Sequence, residues 1–204
     1  MALDDFYSNL IFFLRWIHIM AGIVWLGHLY FFNFVNANFQ PNLPKEMKPT
    51  VNPQLLHRAL WWFRWGAMTT FVIGLVLLFV KYSGGNLWHD GATGQMTHRA
   101  MWILFGALLG TIMWFNVWFI IWPIQKQVIT AIKNGTAPDA KKVRTAYLAS
   151  RTNTYLSLPM LFCMGGASHF PQYDWLTLAI VTVASVVLTW HLIEKVAPKV
   201  GSNF

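Results

Sequence analysis

Apolar positions in this chain fall into long blocks, and polar positions into short breaks between them. The first block, residues 10–39, reads LIFFLRWIHIMAGIVWLGHLYFFNFVNANF, and similar blocks recur to the C-terminal end. Apolar runs of about 18 or more residues are long enough to cross a bilayer core as a helix. The pattern predicts an all-α, polytopic membrane protein: a five-transmembrane-helix bundle with helices over about 7–36, 56–82, 97–133, 140–167 and 175–196, in one membrane domain covering 1–204. Between the first two helices stand Pro41, Pro44, Pro49 and Pro53, which predict a non-helical connector over 40–54. SGGNLWHDGATGQ, at 83–95, reads as a glycine-rich loop, and Thr97 as the N-cap of the third helix. That helix is expected to run past Pro123 as an amphipathic extension to Lys133. NGTAPDAKK reads as a turn, Pro159 as a kink in the fourth helix, and HFPQYD as a short connector to the fifth.

Composition agrees with the pattern. The chain has 204 residues, 56% of them hydrophobic and 11% charged, well below the quarter or so of charged residues in soluble domains. The first apolar block is too long for a cleavable leader and is followed by further spans. One cysteine, Cys163, excludes an internal disulfide, and there is no CxxCH for covalent haem. Net charge is +8, but the basic residues gather at the predicted membrane edges, so a lipid surface explains them and nucleic acid is not implied. One side of the predicted bundle holds Asp4, Asp5, Asp90 and Asp174, with Lys81 and Arg99 at its edge. The other holds Lys45, Lys48, Arg58, Lys126, Lys133, Lys141, Lys142, Arg144, Lys195 and Lys199. This bias places the N-terminus in the periplasm and the C-terminus in the cytoplasm of a bacterial inner membrane.

With that topology the histidines fall into two layers. The outer layer is His18, His98 and His169, with His89 in the nearby loop; the inner layer is His28, His57 and His191. Each layer draws on three helices, as a bundle does when it holds haem between facing side chains. Arg15 shares a helix face with His18, and Arg99 adjoins His98; both suit haem propionates. Arg58 and Arg64 could serve an inner haem in the same way. Gly22, one turn after His18, would leave room for the plane of a haem. Apart from Glu194, near the inner end of the fifth helix, no Asp or Glu lies inside a predicted span, so the internal arginines call for an outside anion, and the scarcity argues against a carboxylate proton relay.

Each feature also has a plain reading. Histidines at helix ends are common at a wet interface, which suffices for His57 and His89 and competes evenly for His191 beside Trp190. Arg15 and Arg64 could snorkel. Trp and Phe could simply face lipid, and glycines such as Gly22, Gly27, Gly66, Gly74, Gly106 and Gly110 could permit close helix packing. His18 lies deep in a span, where ionisable residues are functional by default. Copper is the alternative metal, but the nine Met residues are scattered.

RWIHIMAGIVWLGHLYFFNF, WWFRWGAMTTFVIGLVLL, GTIMWFNVWFIIWPIQKQ and NTYLSLPMLFCMGGASHFP resemble the N-terminal membrane domain of bacterial membrane-anchored urate oxidases (urate hydroxylases). His18 and His169 fall where that family also has histidine, and Arg15, Trp16, Trp25, Asn116 and Pro123 match it too; His28 stands where a small residue is expected. The family domain is larger and ends in a cytochrome c domain, so the resemblance is to a short form without it. The opening His-x-x-x-Gly-x-x-Trp pattern is also similar to bacterial membrane protoporphyrinogen oxidases and to copper-resistance membrane proteins. The resemblance implies a membrane redox protein and leaves its substrate open.

Together these readings lead to a membrane protein that binds one or two b-type haems and transfers electrons, as a cytochrome subunit of a larger redox complex. His18 is the expected axial ligand, with His98 or His169 opposite; a second haem would use two of His28, His57 and His191. The alternatives are a membrane oxidoreductase for urate, a similar small heterocycle or protoporphyrinogen, passing electrons to quinone or a cytochrome c, and a copper-handling or structural subunit.

Overall fold

A computed structural model of the chain describes residues 5–82, 88–170 and 172–201. Asp4 and positions 83–87 of the glycine-rich loop lie outside the described residues. The described residues form five helical rods: α1 (Phe6–Phe39), α2 (Lys48–Tyr82), α3 (His98–Lys133), α4 (Ala140–His169) and α5 (Trp175–Val196). The end of the bundle that holds the start of α1 is called outer here, after the orientation that the charges predict.

Four of the rods start on a side chain that accepts a bond from an otherwise orphaned backbone N–H. Asp5 accepts from Ser8 N at 3.0 Å, Thr97 from Ala100 N at 3.1 Å, Asp139 from Lys141 N at 2.8 Å and Asp174 from Thr177 N at 2.8 Å. The second rod differs from the sequence expectation. It begins at Lys48 and takes Pro49 and Pro53 into its first turns. Pro49 is tolerated because first-turn N–H groups have no intrahelical partner, whereas Pro53 stands inside the helix and omits one backbone hydrogen bond. The helix is anchored instead by Thr50 and Val51, whose N–H groups donate to Met47 O at 3.1 and 2.9 Å.

Near the inner end α1, α3 and α5 each contain a widened π-turn, over Phe31–Asn36, Asn116–Ile121 and Leu192–Val196. In α3 the wide turn ends where Trp122 N donates to Val117 O, immediately before Pro123. The rod therefore passes the proline without breaking.

Four rods, α1, α2, α3 and α5, are long and apolar enough to cross a membrane. The fourth in chain order, α4, is 30 residues long but too polar in its middle to join them. Its position explains this. It packs against α1, α3 and α5, and its polar residues face those neighbours. Asn153, Thr154 and Ser157 are fully buried. Asn116 Nδ2 donates to Asn153 Oδ1 at 2.8 Å, and Asn153 Nδ2 to Met113 O at 2.9 Å. The Tyr30 hydroxyl meets Ser157 Oγ at 3.0 Å, and Asn33 Nδ2 donates to Ser150 Oγ at 2.9 Å. Inter-helix hydrogen bonds of this kind replace hydrophobic packing where lipid offers no driving force.

The core lies between α1, α2, α3 and α4 and is built on Trp25, Leu29, Phe63, Ala67, Met113 and Val117. The fifth rod packs on α4, and its last turn touches the wide turn of α1. Rods α1 and α2 pack backbone against backbone at Gly66, where an added Cβ would lie 3.0 Å from Trp25 N and 3.2 Å from Ala21 O. On either side of this crossing they enclose a cavity.

Candidate functional site

The outer cavity lies among α1, α2, α3 and α4 and has a volume of about 510 Å³. Four rods contribute a polar group near the mouth: Arg15 from α1, Lys81 from α2, Arg99 from α3, and Ser168 with His169 from α4. Arg99 Nη2 donates to Ser168 Oγ at 3.4 Å. Below the mouth, α1 presents His18 and then Trp25. Ten residues of helix separate Arg15 from Trp25, so the cavity reaches about 15 Å into the bundle at a rise of about 1.5 Å per residue. Among the described residues no carboxylate lines it. The cavity thus has three cations at its mouth, no carboxylate among the described residues and mostly apolar walls.

Two buried polar atoms in its wall lack a partner: His18 Nδ1 and Trp25 Nε1. Trp25 is 2% exposed, and its indole N–H is buried without a hydrogen-bond partner. Gly74 makes space for His18; a Cβ there would meet His18 Cε1 at 3.0 Å. Gly110 and Gly165 also line the cavity, and a Cβ at either would meet nothing within 4 Å.

The sequence-derived outer set is thus divided. His18, His169, Arg15 and Arg99 share one cavity. His98 is used elsewhere: its Nδ1 accepts from Tyr173 N at 2.9 Å and fastens the α4–α5 connector to the start of α3. Gly22 faces Thr70, whose nearest atom would lie 3.9 Å from an added Cβ, and is a packing glycine of the α1–α2 contact. Gly74, Lys81, Ser168 and Trp25 join the site without having been singled out for it. The signal for Gly74 lay in antiparallel pairing: if Gly22 meets Thr70, then His18, one turn up, meets Gly74 one turn on.

The inner set does not converge. His28 lines a second, shallower cavity with Thr50, Val51, Gln54, Leu55, Arg58, Ala59 and Trp62. Its Nδ1 lies 2.7 Å from Val24 O, so this nitrogen carries the proton and Nε2 is left bare in the neutral ring. Arg58 Nη1 donates to Gln54 O at 3.0 Å. His57 is exposed and lies against Trp122 at 6.3 Å between ring centroids. His191 is exposed on α5, which does not pack against α2. Arg64 is met by indoles: its guanidinium lies 3.8 Å from the Trp122 ring centroid, with Trp118 and Trp65 at 5.8 and 5.9 Å. Cation–π contact serves Arg64 in place of an external anion.

The outer cavity fits haem by its donor set. Its imidazole lies deep, its cations sit at one end, and glycine surfaces open into it. Among the described residues no group of three or more His, Cys, Asp and Glu side chains gathers to hold a bare metal ion. Haem asks less, since the macrocycle supplies most of the iron's ligands and the protein one or two.

A helical membrane bundle with a cationic, imidazole-bearing cavity at one end is the class that fold and site define. Within it, the chain belongs to the urate oxidase N-terminal family, which matches residues 87–201, more than half of its length. The match covers α3, α4 and α5; the helix that carries His18 lies before it. No curated protein and no solved structure matches the chain.

Proposed function

We propose that this chain is a membrane oxidoreductase component that holds haem b in its outer cavity and passes electrons within a larger membrane redox complex. What carries the reading is the meeting of His18 and His169 with Arg15, Lys81 and Arg99 in one cavity that no carboxylate lines among the described residues. His18 and His169 would hold the iron through their imidazoles. Arg15, Lys81 and Arg99 would neutralise the propionates at the mouth. When bound, haem supplies reversible one-electron transfer. The residues of the chain orient it, exclude water from its apolar faces and set its potential through the surrounding charge. The proposal includes five membrane crossings with a periplasmic N-terminus and a cytoplasmic C-terminus in the inner membrane, and a cytochrome c or quinone as exchange partner.

A second reading follows from the family. The same cations suit a small anionic heterocycle such as urate, oxidised in the cavity itself, and protoporphyrinogen is a larger candidate of the same kind. An absorption spectrum of the purified protein, oxidised and reduced, tests both. The first reading requires near-stoichiometric haem that is lost in His18→Ala. A haem-free protein that still binds urate, or a His18→Ala protein with full haem and an unchanged spectrum, overturns it.

A further inference from the structure

The second cavity lies at the opposite end of the same helix pair. Its floor belongs to α1 at His28 and its wall to α2 between Thr50 and Trp62. Trp25, the deepest α1 residue of the outer cavity, stands three residues before His28 on the same rod. The two cavities are thus separated by the Gly66 crossing, a distance of about one helical turn. The rim of the inner cavity includes Leu55, 41% exposed, and Trp62, 55% exposed, two large apolar side chains on the surface of a rod apolar enough to cross a membrane.

We propose that this inner cavity binds the ring of a lipid-dissolved quinone. The proposal rests on the oxidoreductase reading above and locates the partner with which it exchanges electrons. The observations that select a quinone are three. The cavity opens where a molecule dissolved in the bilayer can reach it. Its polar groups are hydrogen-bonding ones, His28, Thr50 and Gln54, with a single cation, Arg58, whose Nη1 is already held by Gln54 O. The remaining lining, Val51, Leu55, Ala59 and Trp62, offers aliphatic and indole surface to a flat ring. His28 is fixed by Val24 O, so its Nε2 is the atom left for a ring oxygen. That bare nitrogen accepts the O–H of a quinol; protonated, it donates to a quinone carbonyl. Conversion of quinone to quinol takes two electrons, which a one-electron carrier in the outer cavity would pass in two successive steps, re-reduced by the substrate or redox partner of the complex between them, and two protons from water at the inner surface, which reaches the exposed Gln54 and Arg58. The reverse reaction returns both.

The test uses the full chain in lipid nanodiscs with decylubiquinone as probe, binding being read by quenching of tryptophan fluorescence. Two variants are compared with the unaltered chain: His28→Leu, which removes the ring-oxygen partner, and Leu55→Trp, which fills the exposed rim without touching the core. Each is expected to weaken binding at least tenfold while haem content stays unchanged. Unaltered quinone affinity in both variants overturns the proposal. So does displacement of the probe by anionic phospholipid alone, which would mark the cavity as a headgroup site. The outcomes separate the two readings: haem without quinone binding sinks this inference only, and quinone binding without haem sinks the reading of the outer cavity only.

Discussion

The outer and inner ends of this bundle carry similar inventories and different arrangements. Each has histidines from several helices and at least two arginines near them. At the outer end His18, His169, Arg15 and Arg99 converge on one cavity. At the inner end His28, His57, His191 and Arg64 are dispersed among a shallow cavity, an indole contact, an exposed helix end and a tryptophan box. The difference teaches that polar residue lists do not make a site in a membrane bundle. Helix spacing does, and spacing here is governed by small residues. Gly66 pins α1 to α2, Gly74 leaves room for an imidazole, and Gly110 and Gly165 leave a void.

The largest expected effect breaks the symmetry of the two layers directly. On the proposed reading of the outer cavity, His18→Ala should abolish nearly all haem binding, whereas His57→Ala and His191→Ala should leave haem content and spectrum unchanged. Haem-to-protein ratios of the three purified variants check this. Loss of haem in either inner variant would restore the second layer as a site.

Next comes the crossing that separates the cavities. Gly66→Ala drives a Cβ against backbone atoms, Trp25 N at 3.0 Å and Ala21 O at 3.2 Å, and backbone cannot turn aside as a side chain can. Overpacking of this kind costs about 1–3 kcal/mol. Gly110→Ala puts its Cβ into open space and should stay within about 0.5 kcal/mol of the unaltered protein. Thermal melts in one detergent compare them, and equal melting temperatures would refute the role given to the crossing.

The apolar periodicity made the five rods legible, because lipid demands long apolar helices and tolerates little else. The α2 start was not legible, since four prolines read as a break when counted together, whereas Pro49 falls in the first turn and Pro53 is carried inside the helix at the loss of one backbone bond. The polar middle of α4 was legible as composition but not as a hydrogen-bonded seam, because Asn153 finds Asn116 and Met113 only after α3 and α4 pack. In the site, Arg15 and His18 were readable from one helix, being three residues apart. Choosing His169 over His98 was not, since both sit at the same depth and only the connector geometry, with Tyr173 N on His98 Nδ1, separates them.

A smaller effect concerns the cations at the mouth. Arg99 is half-buried and shares Ser168 with α4, so Arg99→Gln removes charge while keeping a hydrogen-bonding side chain. Ion pairs at such partly exposed positions contribute about 0.2–1 kcal/mol, so an anionic occupant should bind more weakly by a factor of up to about five. The deficit should shrink as salt rises, because screening already weakens the native pair. Arg58→Gln at the inner end should leave the outer occupant unaffected. A salt-independent loss in Arg99→Gln would point to packing instead of charge.

The smallest expected effect is the response of the outer end to acid. Its carboxylates stabilise turns by accepting hydrogen bonds. Asp174 is held below the ordinary carboxylate value by the Thr177 hydroxyl and then by the Thr177 N–H, and Asp5 by the hydroxyl and N–H of Ser8. Asp90 is lowered by the N–H groups of Ala92 and Thr93. A carboxyl whose folded pKa is depressed stabilises the fold above its unfolded pKa, near 4 for Asp, and loses that contribution as pH falls through the lower, folded value. Melting temperature should therefore be flat above about pH 5 and decline below about pH 4. Because these groups are exposed, the decline should be shallow and local. Hydrogen exchange resolves where it begins: at pH 3 the first turns of α1 and α5, at Ser8 and Thr177, should lose protection while the Gly66 crossing keeps its own. Asp174→Asn retains an acceptor for Thr177 N but does not titrate, so protection at Thr177 should become independent of pH in that variant. If its acid response persists, the loosening starts elsewhere, and the outer end is no more acid-sensitive than the inner.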